Sequence, residues 1–105
     1  MIASGQLSEL PASGVYKFRL FVAGDESNSR RARENLQRIC DEHLTGHYQV
    51  EVIDVINDFN AALAAGVVIP PTLLLIGSDP LVTIFGDLSD EQSVLAALGL
   101  GRNSE

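Results

Sequence analysis

The sequence has no tryptophan and only one cysteine, Cys40, among its 105 residues. A single cysteine excludes an internal disulfide and a Cys-x-x-Cys redox pair. It fits a reducing compartment, so we expect a cytoplasmic protein. Cys40 shares a helical stripe with apolar residues and has no activating neighbour in the sequence. We therefore expect it in the core rather than as a reactive thiol.

Basic residues are also scarce, with 7 Lys and Arg against 14 Asp and Glu, which gives a net charge of −7. Nucleic acids and anionic membranes attract basic surfaces, so we expect neither as a partner. No apolar run approaches the roughly 20 residues of a membrane span. The first residues lack the basic start and long apolar core of a secretory signal. We predict a flexible leader at 1–14, one domain at 15–100 and a tail at 101–105.

The two histidines, His43 and His47, flank an expected helix end. Two ligands are fewer than a structural metal site needs, which favours two solvated surface histidines over a metal centre. We therefore expect no metal and no other cofactor.

The first half of the chain predicts a strand, a helix and a second strand. Alternating apolar residues mark a half-buried strand over 15–22. Helical spacing follows over 29–44, where Asn28 or Ser29 can cap the start and the stripe contains Cys40 and His43. Residues 48–56 are rich in β-branched side chains and predict a strand parallel to the first.

The second half predicts a short helix, a hairpin and a last helix. Asn57 or Asp58 can cap the short helix, and Gly66 ends it. The apolar runs "PTLLLIG" and "LVTIFG" form an antiparallel hairpin through the turn "GSDP". In the last helix Ser89 is the expected N-cap, with Gln92 at the capping-box position.

This order, βαβαββα, predicts an α/β fold with a mixed four-stranded sheet of thioredoxin-like topology. The segment "IPPTLLLIG" resembles the proline-threonine pair that opens the third strand in that superfamily. The resemblance implies a cis bond between Pro70 and Pro71, whereas base rates alone favour two trans prolines in an extended connector. The redox cysteines of that superfamily would fall near Glu26 and Ser29, and neither residue is a thiol.

Several ordered blocks resemble the cyanobacterial clock protein KaiB and its relatives. They are "YKFRLFVAGDESNSRRARENLQRIC", "YQVEVIDVIND", the "PTL" at 71–73 and "IFGDLSDEQSVLAALGL". Together they cover about residues 15 to 100. The resemblance implies a non-enzymatic protein that binds the ring of the ATPase KaiC. Further partners in that family include a sensor histidine kinase.

The resemblance to KaiB also implies fold switching. A tetrameric ground state with a re-paired C-terminal half would exchange with a monomeric thioredoxin-like state. This sequence departs from the clock proteins in the switching half, with "AALAAGVVIP" and "LLIGSDPLVTI". The second of these segments reads as a cleaner hairpin, with an apolar strand, a four-residue turn and an apolar strand, so we expect the thioredoxin-like state as the resting fold. The sequence leaves open a monomer, a dimer or a tetramer.

Three features are candidate functional residues. Arg30 and Arg31, with Arg33, open a helix and would offer positive charge to an acidic partner, unless they form a solvated face. Phe59, Asn60 and Leu63 lie on the short helix, where the apolar pair suits either a partner's groove or the core. Four residues are expected to matter for conformation: Pro70, Pro71, Gly86 and Asp87.

Three functions compete. The first is a KaiB-like interaction module that binds a KaiC-like ATPase in a clock, timer or stress-response system. The second is a KaiB-like input module that acts through a histidine kinase or another partner without KaiC. The third, a thioredoxin-fold enzyme, is disfavoured because nucleophile and base are both missing from the first strand–helix turn.

Overall fold

A computed structural model describes residues 14–67 and 69–100. The predicted leader, apart from Gly14, and the predicted tail lie outside the described residues. The elements of the described part follow the predicted order: β1 Tyr16–Val22, α1 Ser27–His43, β2 Tyr48–Asp54, α2 Phe59–Ala65, β3 Thr72–Ile76, β4 Val82–Phe85 and α3 Glu91–Ala97.

The strands form a mixed four-stranded sheet in the order β2-β1-β3-β4. β1 pairs with β2 in parallel, and β3 pairs antiparallel with both β1 and β4. In the centre of the sheet, Leu20 lies opposite Val52 on one side and Leu73 on the other. The thioredoxin-like prediction is confirmed, and the C-terminal half forms the hairpin rather than the re-paired alternative.

The sheet buries a different apolar set on each face. On one face, alternate residues of β1 pack with α1 and α3 in the larger core, which includes Tyr16, Phe18, Leu20, Leu36, Ile39, Leu73, Val94 and Leu95. On the other face, Phe21 and Leu74 pack with Ala62 of α2. Burying such a side chain fully contributes about 1.5–3 kcal/mol to stability. Because apolar residues lie on both faces of the sheet, helices cover both faces.

The helical stripe of α1 is confirmed at Cys40, which is fully buried. Desolvation, with a smaller contribution from Asp41, raises the pKa of the Cys40 thiol to about 12. His43 follows the spacing of the stripe but is exposed, as expected for a surface histidine, and Leu44 is buried. One position on a helix turns the side chain by about 100°, enough to move it off the apolar face.

Two of the predicted helix caps are wrong by a few residues. Glu26, not Asn28 or Ser29, caps α1, and its carboxylate accepts from the Ser29 N–H at 3.0 Å. Asp90, not Ser89, caps α3, where it accepts from the Ser93 N–H at 3.3 Å. In both cases a carboxylate serves as the cap in place of the expected amide or hydroxyl, and it accepts from a free N–H group of the first turn.

The predicted ends of α2 and the cis proline bond agree with the structure. Asp58 caps α2, and Gly66 ends it in the left-handed conformation. The Pro70–Pro71 bond is cis, as the resemblance implied, and Asp79–Pro80 is a second cis bond that was not predicted. No helix within the described ranges is long and apolar enough to cross a membrane.

Candidate functional site

Most of the predicted functional residues meet at one edge of the sheet. In the strand register Phe21 lies opposite Ile53 and Thr72, and Thr72 lies opposite Phe85. The C-terminal ends of β1, β2 and β4 therefore lie beside the N-terminal end of β3. We call this the proline edge, because Pro71 directly precedes Thr72 there.

Asp54, the last residue of β2, joins two turns at the proline edge. Its Oδ1 accepts from the Gly24 N–H and from the Ile56 N–H, each at 3.0 Å. The first contact fixes the β1–α1 turn, and the second fixes the start of the β2–α2 turn. Asp54 thus holds Ile56 beside Gly24, where a Cβ would lie 3.2 Å from the Ile56 Cδ1.

The β1–α1 turn holds polar groups where redox proteins of this fold carry thiols. The Ser29 hydroxyl is fully buried and accepts from the Ala23 N–H at 2.9 Å. Glu26 accepts backbone N–H groups, and the bonds from Asn28 and Ser29 hold the pKa of its carboxyl below the ordinary 4.5. Both side chains therefore serve to order the turn.

The prolines and the predicted Gly86 are in direct contact. The Gly86 N–H donates to the Pro71 carbonyl oxygen at 3.0 Å, which continues the β3–β4 pairing past the strand end. The Thr72 hydroxyl donates to the Ile69 carbonyl oxygen at 2.7 Å. Gly86 has φ +99, a conformation that side-chain-bearing residues rarely adopt. The conformational residues named from the sequence thus form one contiguous unit.

Exposed apolar side chains concentrate at the proline edge and on α2, which starts there. Seven large apolar side chains are exposed in the described part of the chain. Five of them, which we call the apolar rim, belong to this region: Ile56, Phe59, Leu63, Ile69 and Phe85. Each member is at least 59% exposed. Concentrated apolar exposure of this kind is typical of an interaction surface.

A groove of about 390 Å³ runs along the apolar rim between residues 69–71 and β4. Ile69, Pro70, Pro71 and Phe85 line it, together with Asn28, Gly66 and Gly86. The two glycines add no side-chain bulk, so the groove stays open. Its lining is mainly apolar, with few groups that could hold a charged small molecule.

The arginines at the start of α1 are placed next to carboxylates. Arg30 and Arg33 lie 3.8 and 3.6 Å from Asp25, and Arg31 lies 3.1 Å from Asp87. Arg31 also donates to the Asn28 side chain. These neighbours offset much of the positive charge that the sequence suggested for this region.

Asp87 connects the C-terminal half to α1. Its carboxylate accepts from Arg31, and its backbone carbonyl accepts from the Asn35 side chain at 2.8 Å. Bonds from Ser89 first, and then from Arg31, hold the pKa of the Asp87 carboxyl below the ordinary 3.8. The next residue, Leu88, is buried with φ +64.

The structure brings Arg31, the prolines, Gly86 and Asp87 together, while Phe59, Asn60 and Leu63 lie on the outer side of α2. Sequence reasoning missed Ile56, Ile69 and Phe85. Ile69 precedes two prolines, and Phe85 ends a strand. From the apolar pattern of the sequence alone, each of them resembles a core position. The strand pairing places Phe85 opposite Thr72, and Ile69 lines the same groove as Phe85.

Solved structures with a similar fold are known. The N-terminal domain of Synechococcus elongatus SasA aligns with a TM-score of 0.65 at 20% identity, over 81% of this chain and 84% of that one. Chloroplastic thioredoxin z aligns with a TM-score of 0.69 at 20% identity, over 94% and 89%. These likenesses support the thioredoxin-like fold.

Sequence relatives are more specific. The circadian clock oscillator protein KaiB of Trichodesmium erythraeum is 38% identical over 90 residues, which is 86% of each chain. The corresponding protein of Prochlorococcus marinus is 40% identical over 86 residues, 82% of this chain and 72% of that one. The circadian clock protein KaiB3 of Synechocystis is 37% identical over 82 residues, 78% and 80% of the two chains.

The KaiB domain model matches residues 19–100. This range includes β2, β3, β4 and all three helices, and it contains every residue of the proline edge and the apolar rim. Together with relatives that are 37–40% identical over 72–86% of their own length, it identifies the chain as a member of the KaiB family.

Proposed function

We propose that this chain is a non-enzymatic interaction module that binds a KaiC-like ATPase ring in a clock, timer or stress-response system. The observation that carries the proposal is the apolar rim, in a chain whose matched relatives are clock proteins. The rim and its groove are the contact surface. The module acts in the cytoplasm, as its single buried thiol suggests.

The rim has the chemistry of a protein contact. Phe59 and Phe85 are 63% and 71% exposed, and aromatic side chains supply most of the energy of many interfaces. The residues around them are fixed rather than loose, since Asp54 orders the turn at Ile56 and Gly86 pairs with Pro71. A preformed surface loses less conformational entropy on binding.

Arg30, Arg31 and Asn60 extend this surface with polar groups. Arg30 has a side chain that is 50% exposed, and its carboxylate neighbour Asp25 is 83% exposed and 3.8 Å away. Such a pair exchanges readily for a carboxylate of a partner. We assign these residues to the polar border of the contact, where charge steers association rather than supplying affinity.

Several observations support a module without catalysis of its own. The turn that carries thiols in redox proteins holds Glu26 and Ser29, both engaged in backbone hydrogen bonds. The thiol of Cys40 is buried, and its raised pKa keeps it protonated at neutral pH. Nucleophilic chemistry needs a thiolate within reach of substrate.

The test is to mix the chain with a KaiC-like ATPase of the same organism and ATP, and to follow co-elution on a sizing column over hours. Co-elution is expected. Its absence, with the ATPase hexamer intact, would overturn the KaiC-type function.

Two further experiments test the alternatives. A parallel run with a histidine kinase carrying a KaiB-like domain tests the input-module function. A disulfide-reduction assay tests the non-enzymatic assignment, and any turnover would refute it.

A further inference from the structure

A second group of side chains lies away from the proline edge, where the last turn of α1 meets the first turn of α3. Glu42, His43 and Glu91 each direct a ligand atom to one point, and these atoms all lie within 4.8 Å of one another. The His43 Nε2 is 3.1 Å from the Glu91 Oε2 and 3.8 Å from the Glu42 Oε1. One imidazole and two carboxylates thus converge from two helices.

These separations fit a small tetrahedral cation. With metal–ligand bonds of 2.0–2.1 Å, two ligands of a tetrahedral site are separated by about 3.3 Å. The two distances from His43, 3.1 and 3.8 Å, fall on either side of this value, and the Glu42 and Glu91 ligand atoms lie within 4.8 Å of each other. The three protein ligands leave one position for water.

A neighbouring arginine orients one of the two carboxylates. Arg38 binds the Glu91 Oε1 at 3.2 Å, which orients the carboxylate and leaves Oε2 toward His43. Partners that orient a ligand in this way are common around metal sites.

We propose that Glu42, His43 and Glu91 form a site for a divalent transition-metal cation of the Zn²⁺ class. The imidazole favours Zn²⁺ over Mg²⁺ and Ca²⁺, which prefer shells made only of oxygen ligands. The bound cation links α1 to α3 and stabilises the arrangement in which both helices pack on the same sheet face. This inference is independent of the proposed function.

The test uses the untagged full chain, with Zn²⁺ followed by calorimetry and Co²⁺ followed by its visible absorption spectrum. One cation per chain is expected, with a rise in Tm as Zn²⁺ is added, because a ligand of the folded state stabilises it by mass action. His43→Gln is expected to weaken binding by at least about tenfold, the range seen even for residues that only orient a ligand.

His47→Gln is the matched control, because His47 contacts the Gly14 carbonyl oxygen at 3.3 Å and is not part of the cluster. It should bind Zn²⁺ as the wild type does. Glu42→Gln is a second probe that should not disturb folding, since the Glu42 side chain is 54% exposed. A wild type without Zn²⁺ binding, or binding unchanged in both His43→Gln and Glu42→Gln, would overturn the proposal.

Discussion

The Arg31 guanidinium donates from Nε to the Asp87 Oδ2 at 3.1 Å, across 56 positions of sequence. Asn35, one turn further along α1, donates to the backbone carbonyl of the same aspartate at 2.8 Å. The segment that connects β4 to α3 is therefore held by α1 through both its side chain and its backbone. This contact stabilises the thioredoxin-like arrangement of the C-terminal half.

Asn35→Ala tests the backbone contact. The variant leaves the Asp87 carbonyl oxygen without its side-chain donor, so we expect the free energy of unfolding to fall by about 1 kcal/mol. Urea denaturation measures it, with an unchanged m-value if the fold is retained. Glu34→Ala is the control, because Glu34 is exposed on the same helix and the side-chain donors to Asp87 are Arg31 and Asn35. Equal stability of Asn35→Ala and the wild type would contradict this role.

The Asp87 carboxyl gives a pH dependence of known sign. Its pKa is lower in the folded chain than the ordinary 3.8, so its contribution to stability is fully present above that value. The contribution is lost as the pH falls through 3.8 and then through the lower pKa of the folded state. The Asp87→Asn variant lacks this pH-dependent contribution to stability.

Comparing the two proteins isolates this carboxyl from the others that titrate in the same range. We expect the stability advantage of the wild type over Asp87→Asn to shrink as the pH falls from 6 toward 3. Denaturant unfolding at several pH values provides the measurement. An advantage that stays constant, or that grows in acid, would rule out the proposed contacts of Asp87 with Ser89 and Arg31.

The Cys40 thiol is expected to be inert in the folded protein. It is fully buried and its pKa is raised to about 12, so very little thiolate exists near neutral pH. A chromogenic disulfide reagent at pH 8 should react slowly with the native chain and at once after unfolding in guanidinium. Native and unfolded chains that react equally fast would show that Cys40 is accessible.

Gly86→Ala is expected to lower the free energy of unfolding by about 1–2 kcal/mol, the cost of a left-handed conformation for an L-residue. A Cβ there would meet nothing within 4 Å, so the cost is confined to the backbone at φ +99. Gly86→Asn should cost less, because asparagine tolerates positive φ better. Chemical denaturation ranks the three proteins, and an alanine variant as stable as glycine would refute this assignment.

Sequence reasoning recovered the order of the elements because the apolar period is clear in each one. The alternation of Tyr16, Phe18 and Leu20 fixes a face of β1, and Asp58 and Gly66 set the ends of α2. It placed the caps of α1 and α3 wrongly, because several residues with capping side chains follow one another and only the tertiary contacts decide among them. Ser29, for example, is used by the Ala23 N–H instead.

The candidate sites were recovered less completely. Local pattern located the prolines and Gly86, but not their hydrogen bond, since it depends on strand register. Phe59 and Leu63 fit both core and surface by period, whereas in the structure α2 packs through its alanines, such as Ala62, and leaves both exposed. The pairing of His43 with Glu91 spans 48 positions, so no local pattern could reveal it.

The apolar rim is tested most directly by the affinity of rim variants for a KaiC-like ATPase hexamer with ATP, measured by calorimetry after prolonged incubation. Phe59→Ala and Phe85→Ala should each weaken binding by more than about tenfold, as buried aromatic anchors do. Leu81→Ala is the matched control, since Leu81 is 51% exposed but precedes β4 at the opposite end of that strand. Unchanged affinity in both phenylalanine variants, or an equal loss in Leu81→Ala, would contradict the account.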